Sequence, residues 1–286
     1  MGIRPLKGVT IEITDAGDTI RIQNESLTHG LRFRSIGFPQ RLFRNPRLGR
    51  AGNVRTEHRC ETGRLSDIRG CSGLQFIGND IVDLTDPGAI GKSRDERFVA
   101  RVFAKEEQQR IYESANPDKT LWMLWACKET AFKVAGKLDR QILWAPSRFN
   151  VQINGDASLG AVNGTVNWPH GNVSVEVRIE PCFIHCIGSS SNPWDLHVIT
   201  KGIGQLSSNG NAPPDLSERV RALIKKSLAC RTSKKKADIK IVRPSGPRGL
   251  LPPVVYIDES IASIDISISH DGMFVAYAYV LAGNLD

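Results

Sequence analysis

The sequence lacks any apolar run that could cross a bilayer, and it is poor in cysteine. In its 286 residues, no apolar stretch approaches the roughly 20 residues that a membrane-spanning helix needs. The N-terminus also has no apolar core of the kind found in signal peptides. Six cysteines in a chain of this length do not make a disulfide framework. These absences argue against a membrane protein and a disulfide-rich secreted domain, and predict a globular cytoplasmic protein.

Apolar residues are sparse in residues 1–75, where arginine recurs instead. Only residues 9–22 alternate apolar and polar side chains in the way typical of a hairpin. We expect residues 1–75 to be a largely disordered, Arg-rich extension, to which the net charge of +8 owes much. Two alternatives stay open: the segment is an arm that binds nucleic acid or other acidic partners, or it is a start-site artefact.

The segment from Trp125 to Lys133 is the most informative part of the chain. Trp125, Glu129 and Lys133 are four residues apart and therefore form one column of a helix. The tryptophan predicts that this column faces the protein, where a charged side chain is costly without a partner or a function. Glu129 is therefore a candidate metal ligand or base, and Lys133 a candidate anion contact. The alternative is an ordinary ion pair on a half-exposed helix.

Two further segments carry polar residues in apolar surroundings. Residues 76–84 form a short apolar run that contains Asp80, which predicts a buried strand. Residues 264–280 alternate apolar and polar side chains on both sides of an Asp-Gly pair, which predicts a hairpin. Ser269 and His270 come just before its turn, where a ligand could reach them.

Together these segments resemble the 4′-phosphopantetheinyl transferase superfamily, which combines a Gly-x-Asp strand, a Trp-x-x-Lys-Glu-x-x-x-Lys helix and a Ser-x-Ser-His-x-Gly hairpin. The resemblance begins near residue 77 and ends near residue 281. In the two-lobed type of this family the hairpin precedes the strand, whereas here it comes last. The resemblance therefore implies an α+β pseudo-dimer of two similar lobes in swapped order, residues 76–204 and 205–286. Each lobe is expected to be a small antiparallel sheet packed by a helix, with the active site between them.

The resemblance also implies an activity. Such an enzyme transfers the 4′-phosphopantetheine arm of coenzyme A to a serine of a carrier protein and releases 3′,5′-ADP. Asp80 and Glu129 would hold Mg²⁺, with Mn²⁺ as a possible substitute, and Glu129 would also be the base that takes the serine proton. Lys133 would neutralise pyrophosphate charge. Val82 stands where the two-lobed type has a second acidic residue, and Asp83 faces the other way by strand alternation.

The remaining contacts to coenzyme A are assigned by the same resemblance. The backbone at Gly136 would approach the cofactor. Ser269 and His270 would contact a phosphate, and Arg248 stands near the position of a basic residue in a family Gly-Lys-Pro turn.

The expected partner is an apo acyl or peptidyl carrier protein of fatty-acid, polyketide or nonribosomal peptide synthesis. The protein is expected to act as a monomer, with no membrane partner. The alternatives are a catalytically silent protein that binds coenzyme A or a carrier domain, and a nucleic-acid-binding protein that acts through the basic N-terminal arm.

Overall fold

The computed structural model describes two strands near the N-terminus, β1 (Val9–Ile13) and β2 (Ile20–Asn24), which pair in a two-stranded sheet as the alternation predicts. The rest of the predicted extension, up to residue 74, lies outside the described residues. The larger of the two compact units into which the chain divides contains every element from residue 77 onward. Beyond the first two strands, the structure describes residues 75–155, 160–190, 199–206, 215–246 and 249–281.

A five-stranded antiparallel sheet, with three helices, forms the first part of this unit. Its strands are β3 (Ile77–Asp83), β4 (Asn150–Asn154), β5 (Ala161–Trp168), β6 (Gly171–Ile179) and β7 (Phe183–Ser189). They lie in the order β3-β7-β6-β5-β4, so that β3 is an edge strand. The helices are α1 (Glu96–Val102), α2 (Lys105–Tyr112) and α3 (Pro117–Leu138).

Helix α3 covers one face of this sheet. It begins after Asn116, whose side chain accepts a hydrogen bond from the N–H of Lys119, an ordinary N-terminal cap. Gly78 lets the helix lie directly against β3, because a Cβ at this position would be 2.3 Å from the carbonyl oxygen of Thr130. The glycine of the Gly-x-Asp pattern is therefore required by the contact between strand and helix.

A second antiparallel sheet contains the predicted hairpin. The elements of this part of the chain are β8 (Ile199–Gln205), α4 (Leu216–Thr232), β9 (Ile239–Val242), β10 (Ser245–Gly246), β11 (Gly249–Leu250), β12 (Val254–Ile257), β13 (Ser260–Ile261), β14 (Ile264–Asp271) and β15 (Phe274–Leu281). The sheet with the hairpin has the order β14-β15-β8, and helix α4 packs on it together with the strands that follow α4. Strand β8 begins within the span predicted for the first lobe, but it pairs with β15.

The two sheets meet through small apolar clusters. Ile81 of β3 contacts the cluster formed by Phe274 and Ala276 of β15, and Ile77 belongs to a second cluster nearby. The structure thus confirms a mixed α/β protein built from antiparallel sheets and helices, consistent with a phosphopantetheinyl-transferase-type fold. The similarity of the two halves as lobes of a pseudo-dimer stays a prediction. No described helix is long and apolar enough to span a membrane.

The hairpin turn is fitted closely to the end of β3. Asp83 accepts a hydrogen bond of 2.8 Å from the N–H of Met273. The neighbouring Gly272 has φ +50°, and a Cβ on it would be 2.2 Å from Oδ2 of Asp83. Glycine at this position therefore satisfies both the left-handed backbone and the close approach of the carboxylate.

Replacing Gly272 by alanine is expected to destabilise the protein strongly. The Gly272→Ala variant carries the strain of a left-handed residue and must also displace the Asp83 side chain. Gly91→Ala is the matched control, because Gly91 has φ +75° but no atom within 4 Å of its Cβ position. Urea denaturation should show Gly272→Ala less stable than Gly91→Ala by at least about 2 kcal/mol. Equal losses would show that the Asp83 contact contributes nothing.

Candidate active site

The outer edge of β3 is closed by side chains of β14. In an antiparallel sheet the edge strand presents unpaired N–H and C=O groups, which need partners when they are buried. Here the polar side chains of β14 supply them, at alternate positions along both strands. The N–H groups of Ile77, Asn79 and Asp83 donate to side-chain oxygens of Asp265, Ser267 and Asp271 at distances of 2.7, 2.8 and 2.8 Å.

Lys137 joins helix α3 to this seam, the contact between the edge of β3 and the side chains of β14. Its ammonium donates to the carbonyl oxygen of Ile77 at 2.7 Å and to that of Ile266 at 2.9 Å. It also forms an ion pair with Asp265 at 2.9 Å, with only 6% of the Lys137 side chain exposed. A charge this deeply buried is tolerated because three acceptors surround it. The helix, the edge strand and the hairpin are therefore held as one framework beneath the predicted site.

Asp80, Glu129 and Lys133 come together at the end of this framework. Lys133 donates to the carbonyl oxygen of Asn79 at 2.7 Å and pairs with Oδ1 of Asp80 at 2.9 Å. Burial, and next the charge of Asp80, raise the pKa of Glu129 to about 7, against a smaller opposing effect of Lys133. Burial also raises the pKa of Asp80, although Lys133 opposes it. Lys133 pairs with Asp80, whereas Glu129 interacts with both of these groups through their charges. Two carboxylates thus lie near one ammonium, and the surplus negative charge calls for a proton or a cation.

The donor set suits a hard divalent cation with few protein ligands. Within the residues that the structure describes, no three His, Cys, Asp or Glu side chains are grouped to bind a metal. Val82 is buried, and Asp83 bonds to the N–H groups of Thr85 and Met273. Asp80 and Glu129 therefore remain as the two carboxylates. Mg²⁺ commonly binds through one or two carboxylates and keeps several waters, so the pair fits such an ion.

The hairpin brings His270 within electrostatic reach of Asp80 and Lys133. The pKa of His270 is lowered by burial first and then by the charges of Lys133 and Arg243, while Asp215 and Asp80 raise it. The imidazole is therefore within the electrostatic reach of the strand and helix groups, as the motif pattern requires. Its neighbour Ser269 is placed differently, because its hydroxyl is buried and accepts a hydrogen bond of 3.0 Å from Nδ2 of Asn79.

Arg243 is a candidate that the sequence analysis missed. Burial and then the charge of Arg221 lower its pKa, and its own charge lowers that of His270. A cation whose pKa is lowered by neighbouring cations is typical of a site that binds an anion. The Arg-Pro pair at residue 243 was the available signal, but the resemblance pointed to Arg248, which lies outside the described residues.

Gly136 lies three residues beyond Lys133 on α3. A Cβ at Gly136 would meet only Cγ2 of Ile142, at 4.0 Å. No packing contact of the protein therefore requires glycine here, unlike at Gly78, and the space beside the backbone is open to a ligand.

Comparison with known proteins points to one family. Residues 76–163 match the family model described as the 4′-phosphopantetheinyl transferase superfamily. This confirms the predicted resemblance over that segment. The segment contains Asp80, Glu129, Lys133 and Gly136 but not the hairpin. A holo-[acyl-carrier-protein] synthase of Hydrogenovibrio crunogenus (strain DSM 25203 / XCL-2) is 35% identical over 60 residues. These residues are 21% of this chain and 47% of that protein, so the chain spans about half the length of this relative.

The raised pKa of Glu129 predicts a stability that falls as the pH rises. The unfolded chain releases this proton near the ordinary value of 4.5, whereas the folded protein holds it up to about 7. Between these values the unfolded state binds fewer protons, so the free energy of unfolding decreases with pH. In chelator-treated protein, Glu129→Gln should therefore gain stability relative to wild type, from near zero at pH 4.5 to on the order of 3 kcal/mol above pH 7.

Urea denaturation across this pH range measures the difference between the two proteins. The comparison must be relative, because burial also raises the pKa of Asp271 to about 6 and gives wild type and variant the same additional slope. A difference that does not change with pH would show that the folded protein does not raise the pKa of Glu129.

Proposed function

We propose that this protein transfers the 4′-phosphopantetheine arm of coenzyme A to a serine hydroxyl of an acyl or peptidyl carrier protein. The observation that carries the proposal is the ion pair of Asp80 with Lys133, with Glu129 and His270 within electrostatic reach of both groups. A carboxylate pair for a divalent cation, next to cations for phosphate groups, is the chemistry that a pyrophosphate ester needs. The family match over residues 76–163 supports phosphopantetheine transfer in general.

The residues divide between binding and proton transfer. Lys133, His270 and Arg243 bind the phosphates of coenzyme A and offset the negative charge that develops on the leaving group. The serine oxygen attacks the β-phosphorus, the bond from this phosphorus to the bridging oxygen breaks, and 3′,5′-ADP leaves. Glu129 accepts the serine proton, directly or through a water.

A divalent cation fits the carboxylate pair. Mg²⁺, with Mn²⁺ as a substitute, would be held by Asp80 and Glu129 and would supply charge neutralisation on the pyrophosphate. Oδ1 of Asp80 already pairs with Lys133, which leaves the other carboxylate oxygen for the cation. The backbone at Gly136 and the hairpin at Ser269 would border the bound coenzyme A.

The proposal also covers the organisation of the chain. In this proposal residues 76–204 and 205–286 are two lobes of a pseudo-dimer in swapped order, with the site between them, and strand β8 at the end of the first span completes the sheet of the second lobe. The Arg-rich extension is not needed for transfer. Because groups from both lobes belong to one chain, a monomer suffices for activity. We propose that it works in the cytoplasm on a carrier protein of fatty-acid, polyketide or nonribosomal peptide synthesis.

The direct test is incubation with coenzyme A, Mg²⁺ and a panel of apo-carrier proteins. The expected result is a mass gain of one phosphopantetheine on a carrier serine, with release of 3′,5′-ADP. Coenzyme A binding without any mass gain would support a catalytically silent binding protein instead. Salt-sensitive nucleic-acid binding that is lost on deletion of residues 1–75, again without transfer, would support the basic arm as the functional part.

The carboxylate pair should be essential for turnover. Asp80→Ala removes a cation ligand, and Glu129→Gln removes both a ligand and the base. Each variant should lower kcat by at least about a hundredfold while remaining folded by circular dichroism. Glu113→Gln is the control, because Glu113 is an exposed carboxylate that bonds only to Gln109 among the described residues. Near-normal turnover in Asp80→Ala or Glu129→Gln would contradict the assignment.

His270 should act mainly on coenzyme A binding. The His270→Ala variant loses a hydrogen bond to a phosphate, which should raise KM for coenzyme A by about ten- to a hundredfold and leave KM for the carrier nearly unchanged. If the 3′-phosphate is its partner, the effect should shrink with dephospho-coenzyme A. Lys240→Ala is the control, because this exposed cation pairs with Glu259. Equal losses with both substrates would show that His270 does not bind the 3′-phosphate.

A further inference from the structure

Asn79 is the variable residue of the Gly-x-Asp pattern, and it is fully buried. Its side chain lies on the face of β3 that carries Ile77 and Ile81, between the two sheets, and its exposed fraction is 0%. An apolar side chain would pack there at lower cost, because a buried amide destabilises unless it is hydrogen-bonded. An asparagine at this position therefore calls for a specific partner set.

The side-chain amide joins β3 to two other strands. Nδ2 donates to Oγ of Ser269 at 3.0 Å and lies 3.4 Å from Nε2 of His185 on β7. Oδ1 has no hydrogen-bond partner in the part of the chain that the structure describes. The side-chain amide of Asn79 therefore makes its described contacts through Nδ2 alone.

His185 is the second side chain that the Asn79 amide faces. Burial, followed by the charges of Lys201, Arg178 and Lys133, lowers its pKa to about 3. The imidazole is therefore neutral at physiological pH. In the tautomer that carries its proton on Nδ1, Nε2 accepts an amide hydrogen of Asn79 while the other amide hydrogen is donated to Ser269.

The backbone of Asn79 is bonded on both sides as well. Its N–H donates to Ser267 at 2.8 Å, and its carbonyl oxygen accepts from Lys133 at 2.7 Å. Asp80 is the next residue. One residue thus touches the ammonium of the candidate site and the strand that carries His270, and it adjoins the candidate metal ligand.

We propose that Asn79 is a positioning residue, whose amide holds Ser269 so that His270 stands in line with Asp80 and Lys133. The proposal rests on the function proposed above and deepens it, because it assigns the alignment of the coenzyme A phosphate contact to one buried side chain. Asn79 itself need not touch the substrate. Misplacement of a binding group by about 1 Å is enough to cost up to about a hundredfold in rate.

A double-mutant cycle between Asn79 and His270 tests this. Asn79→Ala should raise KM for coenzyme A by about tenfold in the wild-type background. In the His270→Ala background the same change should have less than about a twofold effect, because the group that Asn79 positions is gone. Asn79→Leu, which fills the apolar space beside Ile81, should behave in the same way and serves if the alanine variant does not fold.

Ser267→Ala is the matched control, because it weakens the contact between β3 and β14 without removing the side-chain amide of Asn79. Ser267 bonds to the backbone of the same asparagine and is equally buried, so its loss should lower the melting temperature while KM for coenzyme A changes by less than about twofold. Effects of Asn79 and His270 that multiply, or an equal rise of KM in Ser267→Ala, would overturn the positioning role while wild type stays active. A wild-type protein that transfers nothing would overturn the proposed function, and this inference with it.

Discussion

The closure of the β3 edge is the interaction on which the rest of the structure depends. An edge strand buried between a helix and a second sheet would leave a row of unpaired backbone groups, which is a large cost. Side chains of β14 satisfy the N–H groups of Ile77, Asn79 and Asp83, and lysines of α3 satisfy the carbonyl groups of Ile77 and Asn79. The seam needs no continuous backbone ladder between the sheets. The contact between the sheets is instead made by individual side chains from β14 and α3.

The same seam explains why charged groups collect where they do. Lys133 and Lys137 are both anchored by backbone carbonyl oxygens of β3, so their ammonium groups are fixed before any ligand arrives. At Lys137 the neighbouring acid is Asp265, and the result is a neutral, buried bond between elements. At Lys133 the neighbouring acids are Asp80 and Glu129, and the charges do not balance. Lys137, in a balanced ion pair, is therefore one helical turn from Lys133, where negative charge is in surplus.

Sequence reasoning found the elements whose pattern is local. The column in α3, the apolar run of β3 and the alternation of β14 and β15 each carry their own periodicity, so Asp80, Glu129, Lys133 and His270 could be named in advance. What it missed depends on contacts between distant segments. The charge of Arg243 acts on His270 because of where β9 ends relative to the hairpin, and Ser269 is buried because the β14 side chains reach the β3 edge. The Arg-Pro pair marks Arg243 in the sequence but not its nearness to His270, and residue spacing does not show that Ser269 is buried.

The unbalanced charge at Glu129 has a consequence for how the site exchanges its occupants. A carboxyl group with a pKa near 7 is about half protonated in neutral solution, and a cation that binds to it must expel that proton. With a divalent cation at the position proposed above, protons and the cation would compete for one carboxylate. The affinity of the site for the cation would then fall gradually as the pH drops below neutral, without any change of fold.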